Sequence, residues 1–331
     1  MRIEWRRMRR SRPVVAAALA LGLAAVLLLS ACTAPGGTSA TAAADSPLKW
    51  GVFVPDDSEP SSDLAVVAQM AGRDPDYVLR FAALAEDAPI GRLEAIAASG
   101  ATPILSLEPW LPGAGVDQPD YALSTIVAGE HDTDLTRWAQ ALATWDRPVL
   151  LRFAHEMNGD WYPWAIGVNG NTATDFVEAW DHVHDVFEAA GASKVKFVWA
   201  PNVSYPGHTT AFQSLYPGAD TVDVLGLDGY NQNGDGRSWT TADELFGPGL
   251  DELRALPGGR PIIITETASS EGTPLGTEKA EWINGLVGFV SRAKRVDGFV
   301  WFQADKERDW RFNSTAQAQA AMKHALARFG S

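Results

Sequence analysis

Residues 152–164 read Arg-Phe-Ala-His-Glu-Met-Asn-Gly-Asp-Trp-Tyr-Pro-Trp. A β-type run, Pro148 to Ala154, stops at His155-Glu156, and Trp161, Tyr162 and Trp164 follow at once. An acid at a strand end with flat rings around it suits the cleavage of a sugar: carboxyl groups do the chemistry and ring faces hold a pyranose. A second strand-like run ends at Glu266. Of two such carboxyls, one protonates the leaving oxygen and the other attacks the anomeric carbon or activates water. Retention of configuration asks for carboxyls about 5–5.5 Å apart and inversion for about 6.5–9.5 Å. Position along a chain does not give that distance.

The elements that must position these acids alternate along the chain. Strand candidates are Lys49–Val54, Tyr77–Phe81, Thr102–Leu107, Val149–Ala154, Val195–Ala200, Val222–Leu227, Pro261–Thr265 and Gly298–Phe302, with helix-period segments between them. Thr174–Ala190 puts Phe176, Trp180, Val183 and Phe187 on one face, and Leu135–Trp145 does the same with Leu135, Trp138, Leu142 and Trp145. Thr277–Arg292 and Thr315–Phe329 read as helices too. Eight alternations predict an α/β protein with a single (β/α)8 TIM barrel. An open doubly wound sheet is the alternative, weakened because no Gly-x-Gly-x-x-Gly turn follows the first strand. In a barrel, function sits at the C-terminal strand ends. Those ends read Glu108-Pro-Trp110, His155-Glu156, Trp199-Ala-Pro-Asn202, Asp228-Gly-Tyr-Asn231, Thr265-Glu-Thr267 and Trp301-Phe-Gln303. Acids, amides and aromatics thus gather on one rim. Of the loop-context tryptophans, Trp110, Trp161, Trp164, Trp239 and Trp310 are candidate stacking platforms.

Taken in order, residues 152–161, Trp-Ala-Pro-Asn (199–202), Asp-Gly-Tyr-Asn (228–231), Ile-Thr-Glu-Thr (264–267), Trp-Phe (301–302) and Asp-Trp-Arg (309–311) resemble glycoside hydrolase family 26. The resemblance covers roughly residues 48–328. It implies a retaining (β/α)8 hydrolase, most often an endo-β-1,4-mannanase and less often an enzyme of mixed-linkage β-glucan or β-1,3-xylan. It implies Glu156 as acid/base and Glu266 as nucleophile. It also implies His155 at the sugar 2-hydroxyl or supporting the nucleophile, Trp161 lining the site, Tyr230 hydrogen-bonded to the nucleophile, and Asp228 on a sugar hydroxyl. Trp301 would be the floor under the reacting ring and Trp110 an outer stacking residue. Asn202 and Arg152 complete the expected substrate-binding set, Arg152 also as a stabiliser of the nucleophile with the hydroxyls of Tyr230 and Thr265.

Residues 1–31 read as a leader. Six arginines precede an apolar run, Val14 to Leu29, shorter than the ~20 residues of a spanning helix. Leu29-Ser-Ala-Cys32 resembles the lipobox of bacterial lipoproteins, which implies a lipid on Cys32 and attachment to the outer face of the cell membrane. An ordinary secretory signal is the alternative. Residues 32–46 are small and polar, a flexible tether, and the catalytic domain spans 47–331. The single cysteine rules out an intramolecular disulfide. Removing the leader leaves 27 − 6 = 21 basic and 41 − 1 = 40 acidic residues, a balance of −19. Nucleic acid is therefore an unexpected partner, an acidic polymer would be repelled, and a neutral polysaccharide fits. A monomer without cofactor is expected. No metal is expected either: His182 and His184 point apart at i, i+2 on a helix, and Glu156 does not open a His-Glu-x-x-His motif because position 159 is Gly. A catalytically silent sugar-binding lipoprotein would have lost one acid, and both are present.

Overall fold

A computed structural model describes residues 47–55, 60–233, 238–272 and 277–329. The expected leader, Cys32 and the tether lie outside the described residues. Eight strands close into a barrel in sequence order. They are β1 (Lys49–Phe53), β2 (Tyr77–Ala83), β3 (Thr102–Glu108), β4 (Val149–Phe153), β5 (Val195–Trp199), β6 (Val224–Asn231), β7 (Ile262–Ser269) and β8 (Val296–Phe302). Every pairing is parallel, and β1 closes on β8. The expected barrel is the observed one.

Alternation along each strand divides the core in two. Leu79, Ile104, Val198, Val224, Ile263 and Val300 fill the barrel interior. Their neighbours Leu105, Trp199, Leu225, Ile264, Phe299 and Trp301 face outward and pack under the helices. Both strand faces are buried, which is why the strands read as near-continuous apolar runs. The seam between β1 and β8 needs glycine. A Cβ on Gly298 would sit 2.2 Å from the Lys49 carbonyl oxygen, and at the β1–β2 seam one on Gly51 would sit 2.6 Å from Tyr77 Cβ.

The outer layer comprises α1 (Pro60–Ala71), α2 (Ile90–Ala98), α3 (Leu123–Val127), α4 (Asp132–Trp145), α5 (Ala173–Ala189), α6 (Ala242–Ala255), α7 (Glu278–Val290) and α8 (Ala316–Phe329). A capping box of Thr172 and Asp175 starts α5, which buries the expected face of Phe176, Trp180, Val183 and Phe187. One expected alternation is missing. Between β5 and β6 the chain forms only a 3-10 turn, Phe212–Ser214. Pro201, Pro206 and Pro217, with Gly207 and Gly218, interrupt any helical run there.

Two strands run further than their sequence suggests. β6 continues to Asn231 and β7 to Ser269, so Asp228, Tyr230 and Glu266 lie within strands rather than beyond their ends. The register between them slips by one residue: Leu227 pairs with Ile264, but Asp228 pairs with Glu266. Thr265 is the extra residue of a bulge. Because Ile263 and Thr265 face inward, plain alternation would turn Glu266 toward the helices, and the bulge re-aims it into the barrel mouth.

Candidate active site

A cleft of about 700 Å³ opens at the C-terminal strand ends. That lies within the ~300–1,000 Å³ typical of small-ligand sites. Glu156 and Glu266 both line it, with Glu108, Asn202, Tyr230 and Trp161 among their neighbours. A larger groove of about 940 Å³ runs along α4, past Asp132, Arg137 and Trp145. It has no convergent acids and lies on the helical layer, away from the strand ends.

The backbone places Glu156. Extended structure stops where Ala154 turns left-handed, φ 45°, and Glu156 repeats the turn with φ 53°. Non-glycine residues seldom adopt this region, and each instance costs about 1–3 kcal/mol that its surroundings must offset. Here the Glu156 N–H donates to the Ala200 carbonyl at 2.8 Å, tying the turn to the end of β5. The side chain then receives two hydrogen bonds. Trp161 Nε1–H donates to Oε2 and Asn202 Nδ2–H to Oε1, both at 2.7 Å. Burial, followed by the negative charge of Glu266, pushes this carboxyl up to about 7, against the pull of those donors and of Arg152.

Glu266 has the opposite surroundings. Tyr230 O–H donates to its Oε2 at 2.6 Å, and Arg152 Nη2–H donates to its Oε1. Arg152 is fully buried and spends every branch of its fork: Nη1 donates to Asp228 Oδ2 at 2.6 Å and Nε to Ser106 Oγ at 2.8 Å. The two carboxylates raise the guanidinium further, so it stays charged. The two acids thus have contrasting surroundings: one is buried against indole and amide donors, the other is clamped by a cation and a phenol.

The structure rearranges several expected roles. Trp161, Asn202, Tyr230 and Trp110 line the cleft. Trp301 does not. It is fully buried, faces α7, packs on Trp282 at 6.1 Å and donates its N–H to the Trp310 carbonyl. Strand parity decides this, since Val300 and Phe302 point inward. The floor is instead a phenylalanine cluster: Phe302 stacks on Phe53 at 4.4 Å, with Phe81 edge-on at 5.1 Å to Phe53. Asp228 reaches no sugar either. It is fully buried, and its second oxygen accepts from Thr265 Oγ1 at 2.5 Å. Burial pushes its carboxyl up while Arg152 opposes the shift. Asp228 therefore orients Arg152, and the Thr265 hydroxyl serves Asp228 rather than Glu266. Arg152 acts on Glu266 and not on the cleft surface.

His155 also lies beneath the surface, with Nε2 3.1 Å from Tyr162 Oη and 3.8 Å from Glu266 Oε1. Burial and the Arg152 charge hold its imidazole well below the usual range, so it is neutral and lies beside Glu266 without pairing ionically with it. Trp164 is fully buried, stacks under Tyr162 at 4.2 Å and donates to the His155 carbonyl, a support and not a platform. Trp239 lines no part of the cleft, whereas Trp310 does. Asp309 and Arg311 pair with each other, leaving Asp305 to Arg308 as that wall. Glu108 was legible as a strand-end acid without a role. Burial pushes its carboxyl up to about 8, and Trp110 Nε1–H donates to it at 3.1 Å.

Residues 110–244 match glycosyl hydrolase family 26. The family segment holds β4, Glu156, Asn202 and Tyr230, and ends before Glu266. Endoglucanase H of Acetivibrio thermocellus is 34% identical over 291 residues, covering 85% of this chain and 31% of that protein. A mannan endo-1,4-β-mannosidase of Bacillus subtilis is 29% identical over 124 residues, covering 36% of this chain and 30% of that protein. The chain spans less than a third of either relative's own length. Among solved structures, the catalytic domain of a Bacillus sp. JAMB-750 family 26 endo-β-1,4-mannanase superposes with a TM-score of 0.64 at 17% identity, over 85% of this chain and 86% of that one. A modular endo-β-1,4-mannanase from Cellulomonas fimi gives 0.63 at 18%, over 85% and 70%. These likenesses carry the barrel fold.

Proposed function

We propose that this chain is a family 26 glycoside hydrolase that cleaves β-linked polysaccharide by double displacement with retention. The observation that carries it is the contrast within one cleft: Glu156 held near the proton affinity of a general acid, and Glu266 clamped by Arg152 and Tyr230. In the first step Glu266 attacks the anomeric carbon as Glu156 gives its proton to the leaving oxygen. Bonding neutralises Glu266, which removes the negative charge that raised Glu156. The same carboxyl, now ionised, takes a proton from water, and the water displaces Glu266 from the sugar.

Two backbones compete as substrate. Mannan is supported by the mannosidase relatives and by the mannanases among the solved structures. Glucan is supported by the likeness to an endoglucanase along 85% of the chain, and we rank it first on that breadth, with mixed-linkage β-1,3/1,4-glucan as the form proposed. His155, the residue expected to read the 2-hydroxyl that distinguishes the two sugars, is buried away from the cleft. We further propose that the enzyme is exported and held by a lipid on Cys32, acting as a monomer.

The test is to incubate the protein with barley β-glucan, glucomannan, galactomannan, xylan and cellulose and to identify the products. Hydrolysis of galactomannan alone would retire the glucan ranking. Glu156→Gln and Glu266→Gln should each lower turnover by on the order of a thousandfold while melting like wild type. Turnover near wild type in either variant, or products released with inverted configuration, would overturn the mechanism. Palmitate labelling that persists in Cys32→Ser would overturn the lipid.

A further inference from the structure

The acid Glu156 depends on a stack of rings that begins outside the cleft. Trp161 gives its N–H to Glu156, and its ring is held from two sides of the sequence. Gly159 lies against the six-membered half of the indole: a Cβ there would meet Cη2, Cζ2 and Cε2 at 2.7, 2.7 and 2.8 Å. Near-equal distances to three ring atoms mean an approach over the face. Tyr205, from the loop after β5, stacks on the same indole at 5.7 Å between centroids and 26° between planes. His208 stacks on Tyr205 in turn, at 4.4 Å and 23°. The chain closes on itself, because His208 Nε2 lies 3.4 Å from the Asp160 carboxylate, next to Trp161. Tyr205 and His208 are also joined through their backbones as an isolated antiparallel bridge.

We propose that Tyr205 is a positioning residue for the acid/base: with His208 outside it, Tyr205 fixes the Trp161 indole so that its N–H meets Glu156. The inference rests on the reading of Glu156 as acid/base. Three features carry it. Trp161 has no hydrogen-bonding freedom, since an indole has one donor and that donor is committed to Glu156. The loop after β5 has no helix behind it to hold an aromatic in place, only a 3-10 turn, so the ring stack supplies the order. Asn202, from the same loop, donates to the other oxygen of Glu156. One loop therefore governs both hydrogen bonds to the acid, directly through Asn202 and through Tyr205 by way of Trp161.

Those bonds favour the ionised form of Glu156. Loosening Trp161 should raise the proton affinity of Glu156 and delay its loss of protonation as pH rises. Tyr205→Leu removes the ring, Tyr205→Phe keeps it without the hydroxyl, and His208→Leu removes the outer ring and its pairing with Asp160. The direct readout is the Glu156 carboxyl resonance in protein labelled with 13C at the glutamate side chain, assigned by its absence in Glu156→Gln. In Tyr205→Leu its midpoint should move up by about half a pH unit or more, with a smaller move in His208→Leu and none in Tyr205→Phe. The basic limb of kcat/KM on polysaccharide should move with it. The kcat/KM of a dinitrophenyl β-glycoside, which reports the first step alone and whose leaving group needs no proton, should change less than twofold, against about tenfold for polysaccharide.

An unchanged Glu156 titration in Tyr205→Leu overturns the proposal. So does a rise in KM for long chains with the pH profile intact, which would make Tyr205 a sugar platform. Wild-type turnover in Glu156→Gln would instead overturn the functional reading, so the two failures are read on separate measurements.

Discussion

At the scale of single residues, the site is organised around a buried cation. Arg152 satisfies Asp228, Glu266 and Ser106 at once. Arg152→Met would leave two buried carboxyls without it, and removing one partner of a buried pair costs about 3–5 kcal/mol. Chemical denaturation should show a loss of that order, and turnover should vanish even where the variant is folded. The acid predicts a pH limb. Glu156 donates only while protonated, so kcat/KM should fall as pH rises through about 7, the value to which burial and Glu266 push it; a profile flat to pH 9 would contradict this. Glu108 predicts a stability effect of the same sign. Its carboxyl rises from 4.5 to about 8 on burial, so the folded state holds a proton that the unfolded state releases. The contribution is fully present below about 4.5 and is lost as pH climbs through about 8. Glu108→Gln has no proton to lose. Its melting temperature should match wild type near pH 4.5 and exceed it by a few degrees near pH 8.

At the scale of elements, what was legible follows the physics of each signal. Strand runs, helix faces and the rim of acids follow from apolar patterning, and the barrel followed from them. Glu156 and Glu266 were legible because strand ends carry function in this architecture. Parity was not. Whether Trp301 or Phe302 faces the cleft depends on register, and one residue of slip exchanges the two faces. The bulge at Thr265 left no mark in composition, yet it turns Glu266 inward. Likewise Asp228 reads as a polar strand-end residue, and only its pairing with Arg152 makes it a support. Two glycines test these element contacts. Gly298→Ala forces a Cβ onto the Lys49 carbonyl at the β1–β8 seam, and overpacking of this kind costs about 1–3 kcal/mol, measurable by urea denaturation. Gly159→Ala should leave stability within that range while displacing Trp161, and should move the Glu156 limb as Tyr205→Leu does.

At the scale of the whole molecule, charge and backbone set what the proposed hydrolase accepts and what is portable about it. With 40 acids against 21 bases in residues 32–331, the protein repels anionic polymers. Carboxymethylated glucan should be cleaved more slowly than its neutral parent, and the gap should narrow as salt rises from about 10 to about 200 mM, where screening shortens to roughly a protein side chain's reach. Equal rates at both salt concentrations would count against it. The left-handed residues at the end of β4 carry a different lesson, about transplantation. Ala154 and Glu156 hold the acid by torsion, and the Ala200 carbonyl on the next strand secures that torsion. A designer who copies His-Glu-Met-Asn-Gly onto another barrel transfers letters alone. The portable unit is a pair of adjacent strand ends, β4 with β5, and a graft that carries both should bring the acid's geometry with it.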